Sequence, residues 1–253
     1  MDLGLKGKRA IVTGGTRGIG RAIAGLLVAE GCDIAICART AARVEETVAA
    51  FRGKGVKAFG AALDVADGEQ LVGFIRSAAE TLGGLDIFIS NVGALGGTND
   101  LASWQRGFEI DVLGTVRGCE AAAPFLEASG GGAIVVVGST AAVEVVGPRR
   151  AYSGLKAAIL PYLKGLARNL APKKVRANAV SPGSVFFEGG TWDLMQKKNP
   201  ERYRQALGRN PTGRMATPEE VANAVVFLAS PRASFISGVN LICDGGMTQR
   251  VQF

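Results

Sequence analysis

Tyr152 and Lys156 stand four residues apart in Ala-Tyr-Ser-Gly-Leu-Lys, so a helix through them carries phenol and amine on one face. That pairing has an acid–base use. A phenol with an ordinary pKa near about 10 releases its proton more readily beside an ammonium, which stabilises the phenolate. The same group can protonate a carbonyl oxygen in one direction and take the proton back in the other. A second segment, Thr13-Gly-Gly-Thr-Arg-Gly-Ile-Gly20, lies near the N-terminus. Gly14 and Gly18 can adopt backbone angles closed to other residues, and Gly20 lets a helix pack closely on a strand. Such a turn, running through Thr16, Arg17 and Ile19, aims backbone N–H groups and a helix dipole at a pyrophosphate. Taken singly, the Tyr–Lys spacing also suits an ordinary amphipathic helix, and a glycine-rich turn also suits a plain loop.

Elements that would position these residues alternate along the chain. Short apolar runs at 9–13, 33–37, 56–61, 85–89, 133–137, 175–180 and 239–243 read as strands. Between them, helix-length segments fall at 19–30, 41–52, 68–81, 104–127 and 151–170. Strands without polar alternation, each followed by a helix, imply a parallel sheet covered on both faces and joined by right-handed crossovers. The expected fold is therefore α/β: a single-domain, Rossmann-type, doubly wound sheet of about seven strands over 1–253. After Pro182-Gly183 the rhythm breaks into a charged, strandless stretch, longer than most connections inside compact domains. Thr217-Pro-Glu-Glu220 reads as a capped helix start, with that helix running to about Ala229.

The end of the second strand reads Ala38-Arg39-Thr40. A carboxylate there would bind a ribose 2′-hydroxyl and repel a 2′-phosphate. A guanidinium instead matches phosphate by a bidentate fork, and Arg17 offers a second positive charge. The expectation is NADP(H) in preference to NAD(H), with both arginines as solvated loop residues the alternative.

Composition excludes several other chemistries. The chain of 253 residues holds no histidine, which removes Ser-His-Asp and Cys-His catalysis and histidine-ligated metals. Its four cysteines, Cys32, Cys37, Cys119 and Cys243, show no Cys-x-x-Cys spacing, and read as buried structural thiols with no metal site. The formal charge of +7 comes from scattered lysines and arginines. That argues against nucleic acid, and an anionic cofactor or substrate accounts for the sign equally well. No apolar run reaches the roughly 18 residues of a membrane span, and the first nine residues carry charge without a signal core. A cytoplasmic protein is expected.

The spacing Thr-Gly-x-x-x-Gly-Ile-Gly resembles the short-chain dehydrogenase/reductase family. Asn91-Val-Gly93, Ser139 at 13 residues before Tyr152, Pro182-Gly183 and Asp244-Gly-Gly246 extend the resemblance almost end to end. The chain looks like the 3-oxoacyl-carrier-protein reductase type of member. The resemblance implies that Tyr152 and Ser139 meet one substrate oxygen, with Lys156 beside the phenol and also holding the nicotinamide ribose. It places Asp64 and Val65 beside the adenine, Asn91 and Gly93 along the adenosine side, and Pro182, Gly183 and Val185 near the nicotinamide. One departure stands out: relatives have Asn, with a backbone carbonyl holding a lysine-linked water, where Asp111 stands in this chain. Asp111 is included among the catalytic candidates: its backbone carbonyl survives the change and keeps a water relay open, its carboxylate could instead hold the Lys156 proton more tightly, or it could simply cap a local helix distortion.

The resemblance makes the stretch at about 184–213 a small substrate lid, which Gly189-Gly190 could hinge. It supplies Val185, Phe186, Phe187, Trp192 and Met195 as wall for an apolar substrate, or as packing for the lid itself. Beside them, Lys197, Lys198, Arg202, Arg204 and Arg209 form a basic run. It reads either as a solvated helix face or as a dock for an acidic carrier protein or a CoA phosphate. The expected partner is a small carbonyl or alcohol, free or thioester-linked, handled by an NADP(H)-dependent oxidoreductase. The second possibility is a cofactor-binding regulator that has lost catalysis. The resemblance also implies a homotetramer, with which the apolar end at Val251 and Phe253 is compatible.

Overall fold

The computed structural model describes residues 2–94, 99–145 and 150–251. Seven strands form one sheet in the order β3-β2-β1-β4-β5-β6-β7, and every pairing is parallel. They are β1 (Arg9–Thr13), β2 (Asp33–Ala38), β3 (Ala58–Ala62), β4 (Ile87–Ser90), β5 (Gly132–Val137), β6 (Val175–Pro182) and β7 (Asn240–Cys243). Consecutive strands are linked by helices: α1 (Gly18–Ala29), α2 (Ala41–Arg52), α3 (Gly68–Leu82), then α4 (Leu101–Gly107) with α5 (Gly114–Ala128), and α6 (Ala151–Leu170). After β6 come α7 (Thr191–Lys198), α8 (Pro200–Leu207) and α9 (Pro218–Ala229). This is the doubly wound α/β architecture that the alternation of apolar runs predicts.

Burial follows the strand period of two. Ile11, Phe88, Ile134, Val136 and Ala177 face the core shared with α3, α5 and α6. Val12, Ile36, Ile89, Val135 and Val180 face the core shared with α1, α2 and α9. The first helix of the chain, α1, lies against α9, its last. At the amino ends of β1 and β4, Asp86 accepts from Arg9 N at 2.9 Å and Arg9 Nε at 2.7 Å, and it pairs with Lys8 at 3.2 Å. Among the described residues no helix is long and apolar enough to cross a membrane.

The chain departs from the sequence expectation in two places. The single helix expected at 104–127 is two helices joined by a π-helical segment, Phe108–Leu113. One residue more per turn is accommodated there between Gly107 and Gly114, and Asp111 lies at its middle. The stretch after β6 folds into α7 and α8. Asn199 caps α8 by accepting from Arg202 N at 3.0 Å, with Pro200 in the first turn. Asp193 steadies α7, accepting from Gly189 N at 2.8 Å and pairing with Lys197 at 2.9 Å. A single parallel bridge between Val185 and Ala216 closes the stretch at its base. Elsewhere the differences are at boundaries: β3 starts at Ala58, β4 at Ile87, and β6 runs on through Pro182, whose missing N–H is harmless at a strand end. Of the C-terminal apolar pair, Val251 is exposed and Phe253 lies outside the described residues.

All four cysteines are free thiols. Burial pushes the Cys32 and Cys37 thiols up to about 12.

Candidate active site

A sheet of this order reverses its direction of growth between β1 and β4, and ligands bind at the carboxyl ends of the strands at such a switch point. A cavity of about 1520 Å³ opens there. Residues at the carboxyl ends of six strands line it: Gly14, Thr16, Arg17, Ile19 and Gly20 after β1, Ala38 and Arg39 at the end of β2, 63–65 after β3, 91–94 after β4, Gly138 and Ser139 after β5 and 183–185 after β6. Met247, beyond β7, joins them.

Glycine is required in the first of these loops. Gly14 and Gly18 have φ of +70° and +51°. A Cβ on Gly20 would collide with the Gly14 carbonyl and the Asn91 amide. Asn91 binds the turn from the neighbouring strand, its Nδ2 donating to Thr13 O at 3.0 Å while its backbone N donates to the Thr13 hydroxyl at 2.9 Å. Helix α1 begins with no side-chain cap, and Arg17 at its N-cap is extended. Asp67, Asp100, Asn199 and Thr217 cap α3, α4, α8 and α9, whereas α2, α6 and α7 share the open start. The first N–H groups of α1 are therefore left for an anion, a cradle that fits a dinucleotide pyrophosphate.

Arg39 and Arg43 line the cavity beyond β2, where Arg39 makes no hydrogen bond or ion pair among the described residues. Asp64 is engaged: it accepts from Ala66 N at 3.1 Å and from Arg106 Nη2 at 2.6 Å. Burial disfavours its charge, but Ala66 N–H, Arg106 and Arg39 outweigh that and hold the carboxyl below its ordinary value.

Ser139, Tyr152 and Lys156 open into the same cavity. Ser139 sits where β5 ends, and its Oγ accepts from Ala141 N at 3.2 Å. That leaves the hydroxyl hydrogen free for a ligand oxygen. Helix α6 brings Tyr152 and Lys156 to one face, with Lys156 Nζ 5.8 Å from the Tyr152 ring centre. Lys156 is 3% exposed and Asp111 0%. Nζ donates to Val137 O at 3.3 Å and lies 3.0 Å from Asp111 Oδ1. Burial works against the charge on Lys156, yet Tyr152 and Asp111 together hold its pKa above the ordinary lysine value.

Most of the residues singled out from the sequence come together on this cavity. Gly18 and Phe186 are not among its lining, and Met195 is absent from it too. Phe186 turns its ring edge-on to Tyr203 at 6.2 Å and packs the helical segment instead. Phe187 covers the phosphate turn: a Cβ on Gly18 would come 2.6 Å from its ring. The Arg17 guanidinium stands 5.8 Å from the same ring. The basic run divides, with Arg202 and Arg209 on the cavity and Lys197 paired to Asp193. Sequence reasoning missed Arg43, Arg106 and Leu194, and two backbone groups, Ala94 N–H and Val137 C=O. The backbone pair leaves no signal in residue type.

Comparison with known proteins agrees with this fold. A family model described as enoyl-(acyl carrier protein) reductase matches residues 14–248. Isoepoxydon dehydrogenase patN of Penicillium expansum is 41% identical, covering 100% of this chain and 99% of its own. L-sorbose reductase from Gluconobacter frateurii, solved with NADPH and L-sorbose, superposes with a TM-score of 0.91 at 33% identity, covering 99% of this chain and 100% of that one. A 7α-hydroxysteroid dehydrogenase solved with NADH and 7-oxo glycochenodeoxycholic acid gives 0.91 at 30% identity, covering 99% and 98%. The chain belongs to the short-chain dehydrogenase/reductase family. It is thereby an oxidoreductase that interconverts alcohol and carbonyl groups.

Proposed function

We propose that the chain is an NADP(H)-dependent oxidoreductase interconverting a ketone and a secondary alcohol, with Tyr152 as general acid and base. The observation that carries this is the buried, charged Lys156 beside Tyr152 in the cavity that also holds the uncapped start of α1. In reduction, the Tyr152 hydroxyl gives its proton to the substrate oxygen and the Lys156 ammonium stabilises the phenolate left behind. Ser139 donates to the same oxygen as negative charge grows on it. The nicotinamide supplies the hydride when bound. Lys156, Gly93, Pro182, Gly183 and Val185 hold the nicotinamide half. Asn91, Asp64 and Val65 hold the adenosine half, and Thr16, Arg17, Ile19 and the turn glycines hold the pyrophosphate.

Arg39 at the end of β2, with Arg17 and Arg43 on the same wall, supports NADP(H) as the preferred cofactor. The L-sorbose reductase complex holds NADPH, in line with that preference, whereas the hydroxysteroid relative holds NADH. Val185, Phe187, Trp192 and Leu194 favour a substrate with an apolar body, a 3-oxoacyl chain or another apolar ketone. The segment at 184–213 then acts as a lid over the bound pair. Exposed Phe235, Val239 and Leu241 around β7 support self-association as a homotetramer, which light scattering would count. The cytoplasm, where NADPH is supplied, is the expected compartment.

A carbonyl panel run with NADPH and with NADH, with Tyr152→Phe as control, tests this reading. Turnover of at least one ketone is expected, with a loss of about 100-fold or more in the control. NADPH binding without turnover across the panel would leave a cofactor-binding protein, and full activity in the control would place the acid elsewhere.

A further inference from the structure

Asp111 puts a carboxylate in the least hydrated part of the site. The π-helical turn Phe108–Leu113 brings it under Ala94, whose N–H donates to Oδ2 at 3.2 Å. The other oxygen, Oδ1, lies 3.0 Å from Lys156 Nζ, off the line of a hydrogen bond, and makes no other polar contact among the described residues. Gly93 leaves the space the pair needs: a Cβ there would stand 3.1 Å from Oδ1 and 3.2 Å from Nζ. An unpaired ammonium this deeply buried is costly, whereas one with an adjacent carboxylate is compensated.

We propose that Asp111 is a positioning residue that binds the Lys156 ammonium by direct ion pairing and supplies its counter-charge, a contact made without an intervening water. This rests on the reading of Tyr152 and Lys156 as the proton-transfer pair. A lysine has three N–H donors. One is directed to the Val137 carbonyl and one side of the group faces Asp111, so the remaining donor is held towards the cavity, where Tyr152 lies and a bound cofactor would present its ribose hydroxyls. The alternative charges around the pair are spent elsewhere. Arg106 of α4 is bound to Asp64 and Glu109 of the π turn to Arg117 at 3.2 Å. Val137 of β5 and Gly93–Ala94 after β4 contribute no charge, which leaves Tyr152 of α6 and Asp111 as the groups acting on Lys156.

Asp111→Asn removes the charge at nearly constant shape and keeps an acceptor for Ala94 N–H. The test follows the 13Cε resonance of Lys156 in lysine-labelled protein, assigned with Lys156→Arg, alongside the pH profile of kcat for reduction with NADPH. The native resonance is expected to stay in its ammonium position through pH about 10. In Asp111→Asn the titration midpoint should fall by about one unit or more. The alkaline limb of kcat should fall with it, and kcat should drop further than KM for NADPH rises. Asp111→Glu, keeping the charge, should restore much of the native midpoint. An unchanged midpoint in Asp111→Asn overturns the proposal. So does a midpoint that falls equally in Asp111→Glu. Should Asp111→Asn not fold, Gly93→Ala, whose methyl presses on both partners, takes its place, and an unmoved midpoint there overturns the proposal too. The resonance needs no turnover, so an enzyme inactive on every ketone would sink the functional reading and still leave this inference decided.

Discussion

Arg39 is exposed on the wall of the cavity and makes no hydrogen bond or ion pair among the described residues. Its charge does reach Asp64, whose own oxygens are bound by Ala66 N–H and Arg106. Arg39 is thus free to meet a 2′-phosphate, and Asp64 is not competing for it by direct contact. Arg39→Ala should raise KM for NADPH by about 10- to 100-fold, the worth of one or two charge-assisted hydrogen bonds, with KM for NADH nearly constant. Parallel increases for both cofactors would show that Arg39 does not read the phosphate. At this scale the sequence is readable where a role needs a side-chain type: a phenol, an ammonium, a hydroxyl, a glycine at positive φ. Asn91 is a partial case. The expectation set it beside the adenosine, and its amide is in fact bonded to the glycine-rich turn. Val137 C=O and Ala94 N–H are beyond such reading, since every residue carries those groups.

Helix α9 starts with a reciprocal cap. Thr217 Oγ1 accepts from Glu220 N at 3.4 Å, and Glu220 Oε2 accepts from Thr217 N at 2.9 Å. The same carboxylate meets Arg214 at 2.6 Å, and these contacts bring its pKa down to about 2. Thr217→Ala should cost about 1 kcal/mol and lower Tm by roughly 2–4 °C in a chain of this size. Because the Glu220 pKa is depressed on folding, its contribution is complete above its ordinary value of 4.5 and fades as pH falls towards about 2. The difference in Tm between native protein and Glu220→Gln should shrink across that window, and a constant difference would contradict the pairing. This start was legible because Thr-Pro-Glu-Glu states its cap in sequence order. The π turn was not: nothing in Phe-Glu-Ile-Asp-Val-Leu distinguishes one extra residue per turn from an ordinary helix. Helices α7 and α8 were hidden for another reason. Each has eight residues and only one fully buried side chain, so neither carries a strong periodic stripe.

The molecule keeps its two ends distinct. Site residues gather at the carboxyl ends of the strands, whereas Asp86, Arg9 and Lys8 fasten the amino ends. Burial alone would raise the Asp86 pKa, but its bonds to Arg9 and the charge of Lys8 win and lower it. Asp86→Asn should therefore destabilise the fold by about 1–3 kcal/mol at neutral pH, leaving kcat within about twofold of native because no site residue is touched. The sign follows from the depressed pKa: the stabilisation is full above the ordinary aspartate range near about 4 and disappears as pH falls further. Urea midpoints for the two proteins should converge in acid, and a gap that persists there would assign the loss to packing. The doubly wound sheet was legible at this scale because parallel strands buried on both faces leave uninterrupted apolar runs.

The contact between α1 and α9 has a temporal side. Some 200 residues separate Ala29 from Ala229, which a ribosome takes about 10 to 40 s to add. For that interval Ile23, Leu27 and Val28 of a nascent chain lack the surface that finally covers them. Until α9 is made, that stripe of α1 is apolar surface open to association with other nascent chains.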